Sequence, residues 1–212
     1  MTATLGPLVV DAADPAAVGA FWSAVLGSNE QRRLLRFVPQ RGPKTVKNRV
    51  HLDVAVGPDD QAIDRLLALG ARVLAEHLPD WVTLADVEGN EFCAFPGKPA
   101  GGRAPARVFA VCTDSDRPEE LASWWAARVG ARIGPGPDQT PRWLYDCAGW
   151  GDIVWKFVRV EDPRAGPNRW RWSLTAPADD LLAAGATRLS DGALVDPQGN
   201  EFSAAAPMRP GG

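Results

Sequence analysis

The chain is poor in several residue types that would otherwise point to a function. Its 212 residues include one tyrosine and two histidines, and the three cysteines, Cys93, Cys112 and Cys147, stand far apart without any CxxC spacing. That pattern argues against a disulfide frame or a zinc knuckle and for reduced thiols. Long apolar runs are missing as well. No window approaches the roughly 18 apolar residues of a membrane helix, and no Lys or Arg precedes the short apolar stretch near the N-terminus as it would in a secretion signal. Positive charge is not in excess either: 23 Lys and Arg against 26 Asp and Glu leave a formal net charge of -3, which excludes a basic nucleic-acid footprint. A soluble, cytoplasmic protein is expected, with neither membrane nor nucleic acid as partner.

What the chain does have is a 45% hydrophobic content, enough for one sizeable core or two modest ones, and an internal repeat. The tetrapeptide Gly-Asn-Glu-Phe occurs at 89–92 and again at 199–202. Pro15, Trp22 and Gly27 match Pro118, Trp125 and Gly130 at one constant offset, and Phe37 and Asn48 match Phe157 and Asn168 at another. Order is kept while spacing drifts, as a duplicated unit with loop insertions and deletions requires.

Each half alternates strand and helix signals. In the first, Leu8 to Val10 predict a strand, and Asp14-Pro15 open a helix carrying Val18, Phe21, Trp22, Val25 and Leu26 on one face until Gly27 stops it. A strand around Leu34 to Val38 runs into a basic, turn-rich loop, Pro39 to Lys47. From Arg49 to Val56, polar Arg49, His51 and Asp53 alternate with Val50, Leu52 and Val54 at strand period. Asp59 and Asp60 are expected to cap a helix ending at Gly70, followed by strands at 71–74, 81–85 and 91–95. The order is βαβ, then βαβββ. More chain separates Gly130 from Phe157 than Gly27 from Phe37, so the first half lacks a hairpin, and the late helix near Asp179 to Ala184 is expected to be shorter by more than a turn.

These residues resemble the glyoxalase-like branch of the vicinal oxygen chelate superfamily. The carriers are Asp14-Pro15 with Phe21-Trp22 and Leu26-Gly27, the segment Pro43 to Asp53, and the ending Asp86-Val87-Glu88-Gly89-Asn90-Glu91-Phe92-Cys93. The second half repeats them as Trp124-Trp125, Asn168-Arg169 and Asp196 to Phe202. The resemblance implies an α+β fold in which paired βαβββ modules enclose a cleft. Four modules are expected, the first shortened, arranged as glyoxalase-like domains over 1–98 and 105–207, with a linker at 99–104 and a tail at 208–212.

Catalytic members of such a superfamily hold a divalent metal through His and Glu on the first and last strands of paired modules. Carried onto this chain, the first-strand position is His51, but the last-strand Glu is replaced by Cys93. The remaining positions fall near Pro7, near Ala110, on Arg171 and on Ser203. Neither metal nor other cofactor is therefore expected. The candidate ligand-binding residues are Arg49, His51, Asp53, Glu91, Cys93, Trp143, Trp155 and Arg171. Nine tryptophans against one tyrosine supply aromatic walls of the kind small-molecule clefts use, although Trp170 and Trp172 alternate toward the core. Arg41, Lys44, Lys47 and Arg49 form a basic cluster that either steers an anion or solvates a loop. Three readings follow: a metal-free small-molecule-binding protein taking a planar or acidic ligand, a metal-dependent lyase, isomerase or dioxygenase, and a structural or dimerisation module with a filled cleft. Homodimer formation stays open.

Overall fold

The computed structural model describes residues 2–97 and 104–207. The expected linker at 99–104, apart from Ala104, and the expected tail at 208–212 lie outside the described residues. The first half runs β1 (Thr4–Leu5), β2 (Leu8–Ala12), α1 (Pro15–Leu26), α2 (Ser28–Leu34), β3 (Leu35–Pro39), β4 (Val50–Val56), α3 (Ala62–Ala68), β5 (Arg72–His77), β6 (Trp81–Ala85) and β7 (Glu91–Phe95). The second runs β8 (Ala106–Ser115), α4 (Pro118–Val129), β9 (Arg132–Pro135), β10 (Pro141–Tyr145), β11 (Val154–Arg159), β12 (Trp170–Thr175), α5 (Ala178–Ala183), β13 (Thr187–Arg188), β14 (Leu194–Val195) and β15 (Glu201–Ala205).

Local chemistry explains most boundaries. The Asp14 carboxylate accepts the Ala16 and Ala17 amides at 3.0 Å each, Pro15 fills the first helical position, and α1 buries the expected Val18, Phe21, Trp22, Val25 and Leu26. Three expectations need correction. Helix α2 was not anticipated; its seven residues bury only Gln31 and Leu34, too few to write a helical period. It occupies the place that the β9–β10 hairpin takes in the second half. Helix α3 starts after Gln61, and Asp59 acts one turn earlier, accepting the Gln61 amide at 3.2 Å and pairing with Arg65 at 2.8 Å. Helix α5 has six residues against seven in α3, so the shortfall in the second half lies mainly in the loop before the helix.

The strands form two mixed sheets. One has the order β5-β6-β7-β4-β8-β11-β10-β9; the other has β13-β14-β15-β12-β2-β3, with β1 added on β12. Each sheet takes strands from both halves: β4 pairs antiparallel with β8, and β12 antiparallel with β2. One contiguous hydrophobic cluster runs through both, from Leu8, Val10 and Trp170 to Val54, Phe92 and Trp155. Trp22 of α1 packs on Phe92 of one sheet and Trp170 of the other, and Trp125 of α4 on Trp155 and Trp172.

The repeated sequence motifs build one polar network twice. The indole N–H groups of Trp22 and Trp125 donate to Asp86 and Asp196 at 3.1 and 3.0 Å. Each aspartate accepts the amide of Asn90 or Asn200, and the side chain of that Asn accepts from Asn48 or Asn168 at 3.0 Å. Glu91 and Glu201 close the network on Lys44 and Arg164. Gly89 and Gly199 sit at φ of 81° and 80°, a left-handed turn that a side chain would strain. The Gly-Asn-Glu-Phe repeat is thus a clamp between the last-strand turn and the loop that opens β4 or β12. No helix among the described residues is long and apolar enough to cross a membrane.

Candidate functional site

Register places two rows of side chains on the face of the eight-stranded sheet opposite the tryptophan core. Trp143, Lys156, Cys112 and His51 are successive cross-strand partners on β10, β11, β8 and β4. Thr83, Cys93, Asp53 and Ala110 form the next row on β6, β7, β4 and β8. Strand alternation explains the division: Trp155 and Phe157 of β11 are fully buried against α4, so Lys156 between them points the other way.

Lys156 is the centre of this face. Its Nζ donates to Asp53 Oδ2 at 2.7 Å and lies 4.8, 4.9 and 5.7 Å from the ring centroids of Phe109, Trp143 and Phe95. Its side chain is 14% exposed and that of Asp53 5%. Burial works against the ammonium, but the charge and hydrogen bond of Asp53 oppose it, and the Lys156 pKa is raised, so the group is a cation at neutral pH. Cys112 Sγ also donates to Asp53 Oδ2, at 3.2 Å. His51 Nε2 stands 3.7 Å from Asp53 Oδ1. Burial lowers the His51 pKa, with Asp53 and Asp114 opposing, which leaves a neutral imidazole that can donate or accept. The Cys93 thiol, beside the Thr83 hydroxyl at 3.8 Å, is pushed up to about 11 by burial and by Asp53, so it is a thiol and not a nucleophilic thiolate. Beyond Phe95 the aromatic wall continues through Trp81 and His77, with centroid spacings of 5.9 and 4.7 Å.

His51, Asp53 and Cys93 each bring a donor atom within 4.8 Å of one another, a group able to hold a metal ion. The donor set nonetheless fits a resident divalent metal poorly. Asp53 Oδ2 is already engaged by an ammonium and a thiol, and a metal there would face the Lys156 charge directly. A Cys93 ligand would also have to lose a proton that its surroundings hold tightly.

The remaining sequence candidates lie elsewhere. Arg49 pairs with Asp162 at 2.8 Å and lines a separate cavity of about 340 Å³ between loops 43–49 and 162–169. Glu91 is bound by Lys44 at 2.7 Å and by the Asn48 amide, which makes it part of the clamp. Trp155 is in the core and donates to Thr113. Arg171 belongs to the other sheet, where Asp11 holds it at 2.8 Å. Each member of the expected basic cluster is held by a carboxylate: Lys44 by Glu91, Lys47 by Asp114, Arg49 by Asp162, and Arg41 by Asp11, which it shares with Arg171. Lys156 was not among the sequence candidates. A single Lys inside the apolar run Val154 to Val158, at strand period, is the signal that would have found it.

Solved structures share this fold, two of them over nearly the whole chain. Glyoxalase I from Zea mays matches with a TM-score of 0.64 at 11% identity, covering 95% of this chain and 91% of its own. A protein from Bacillus subtilis for which a dioxygenase activity is proposed matches with a TM-score of 0.62 at 15% identity, covering 96% and 84%. At such identities the likeness concerns the fold alone. No curated protein matches the chain in sequence. The family model described as a glyoxalase-like domain matches residues 7–95 and again 110–205. Those two segments carry the duplicated clamp and the paired βαβββ modules, and the chain belongs to the glyoxalase-like domain family.

Proposed function

We propose that the eight-stranded sheet binds a small planar molecule carrying an acceptor oxygen or an acidic group, without a resident metal. The observation that carries this reading is Lys156: a lysine whose side chain is not fully buried, its ammonium anchored to Asp53 by one of its three N–H groups and ringed by Phe95, Phe109 and Trp143. Two N–H groups remain for a ligand oxygen, and the neutral His51 imidazole two strands away offers a second contact. Burying about 150 Å² of ring surface contributes roughly 4 kcal/mol, and a charge-assisted hydrogen bond adds about 1.5–3 kcal/mol. Micromolar affinity needs about 8 kcal/mol, so the face suits a ligand that combines stacking with two or more polar contacts.

Tryptophan fluorescence tests the reading, because Trp143 and Trp81 flank the site. Aromatic acids and quinones are titrated into the protein, and hits are repeated with Trp143→Ala, His51→Ala and the charge-neutral double variant Lys156→Met/Asp53→Asn. Saturable quenching that weakens at least tenfold in the double variant is expected. Hits with unchanged affinity in all three variants place the site elsewhere. The donor group His51, Asp53 and Cys93 favours one competing reading, metal-dependent chemistry. Stoichiometric Zn, Mn or Fe(II) retained after dialysis, and lost in His51→Ala, would establish that reading and end the metal-free one.

A further inference from the structure

The seven-stranded sheet carries its own version of the same two rows. Arg36, Val9 and Arg171 are successive partners on β3, β2 and β12, in the register positions that Lys156, Cys112 and His51 occupy in the other sheet. Ser203 and Ser173 pair as Cys93 and Asp53 do. A cavity of about 240 Å³ opens on this face, with Arg36, Arg41, Arg171, Asp191 and Ser203 among its walls and Val9 and Ala193 supplying apolar surface.

The charges in the cavity do not cancel. Asp11, 4% exposed, takes both Arg171 terminal nitrogens, at 2.8 and 3.2 Å, and Arg41 Nε at 3.0 Å. One carboxylate therefore fixes two guanidinium groups and neutralises only one. Arg36 is exposed, lines the same cavity and has no hydrogen-bond or ion-pair partner among the described residues. Asp191 lines the cavity as well, so three cations face two carboxylates and a net positive charge remains. Planar guanidinium groups match carboxylates two contacts at a time, and the volume lies below the roughly 300 Å³ at which pockets for drug-sized ligands begin.

We infer that this cavity is a second binding site, independent of the Lys156 face, for a small organic carboxylate whose apolar part rests on Val9 and Ala193. Arg36 meets the carboxylate, while Asp11 holds Arg171 in place behind it. Unlike the Lys156 face, where the single ammonium is already paired with Asp53, this site has spare cationic capacity, so it favours an anion over its neutral isostere.

Benzoate is the probe, with benzyl alcohol as the neutral isostere and inorganic phosphate as the purely ionic control, read by calorimetry and by chemical-shift changes. Saturable benzoate binding is expected, at least tenfold stronger than benzyl alcohol. It should weaken about tenfold in Arg36→Gln, be partly kept in Arg36→Lys, and be unaffected by Trp143→Ala on the other sheet. The Arg36 side chain has no partner among the described residues, so its variants keep the fold and the comparison stays interpretable. Benzoate binding unchanged in Arg36→Gln, binding lost only in Trp143→Ala, or saturable phosphate binding without benzoate binding would each overturn the assignment.

Discussion

Replacing Lys156 by Met removes the ammonium while keeping the length and apolar stem of the side chain, so the effect isolates one charge. The Asp53 carboxylate, 5% exposed, would lose its 2.7 Å partner and keep only the weak Cys112 donor at 3.2 Å and His51 at 3.7 Å. Breaking a buried pair from one side costs about 3–5 kcal/mol, because the other charge is left desolvated. The three rings around the ammonium add a cation–π term of about 0.5–2 kcal/mol that the thioether replaces only in part. For a chain of this size, 3–5 kcal/mol lowers Tm by roughly 6–20 °C. Urea unfolding followed by fluorescence gives the free energy, and Arg107→Met provides the comparison, since both side chains of its 2.9 Å pair with Asp152 are exposed and its loss should cost about 1 kcal/mol or less. Asp53→Asn in the Lys156→Met background should recover most of the loss. A Lys156→Met cost below about 1 kcal/mol, or no recovery in the double variant, would mean that the pair is solvated and does not organise the face.

Other outcomes follow from the same geometry. Burial keeps the folded His51 pKa below the ordinary 6.5, so the unfolded chain binds the extra proton; stability is therefore lost as pH falls from about 6.5 toward the folded value, and His51→Gln should flatten that part of a stability–pH curve. Cys93 is the one free cysteine that is not fully buried, and with its thiol near 11 it should alkylate slowly at pH 8 and faster above pH 10; rapid stoichiometric labelling at pH 8 would contradict its thiol assignment. Trp22→Phe and Trp125→Phe each remove a buried donor to an aspartate and should cost a similar amount, about 1–3 kcal/mol, in denaturant unfolding. A large difference between them would show that the two clamps are not equivalent.

Much of the architecture was legible because local signals agree with the final packing. Asp14-Pro15 and Gly27 bound α1, and alternation in 49–56 sorted Leu52 into the core and His51 with Asp53 onto the opposite face. The duplication made the modules visible before any contact was known. Three features were hidden, each for a physical reason. Helix α2 buries too few residues to show a period. Arg49, Glu91 and Arg171 carry groups suited to ligand binding, but long polar side chains reach the nearest opposite charge, and Asp162, Lys44 and Asp11 are distant in sequence. The four strands of the Lys156 row come from residues 50 to 159, so no spacing rule could bring them together.

Internal comparison of the two halves separates what holds the fold from what faces a ligand. The clamp residues are chemically the same on both sides: Trp22 with Trp125, Asp86 with Asp196, Asn90 with Asn200, Asn48 with Asn168, Glu91 with Glu201, and a cation in Lys44 and Arg164. Every one of these is tied to a partner in the network, so changing one leaves a buried polar group unsatisfied. The two sheet faces obey no such restraint. At matched register positions His51 stands against Arg171, Cys112 against Val9, Cys93 against Ser203 and Asp53 against Ser173. Only Lys156 and Arg36 agree in charge, and they differ in setting: the lysine is anchored and enclosed by rings, whereas the arginine is exposed and its side chain has no partner among the described residues. The core-facing positions differ too, but there apolar side chains replace apolar ones, Val50 and Leu52 against Trp170 and Trp172, whereas the open faces exchange charge and polarity, as the two sites proposed above require. That division predicts that exchanging Lys156 and Arg36 types (Lys156→Arg with Arg36→Lys) leaves the clamp and the fold intact and disturbs only ligand preference. Loss of cooperative unfolding in that double exchange would show that the faces are part of the stabilising framework after all.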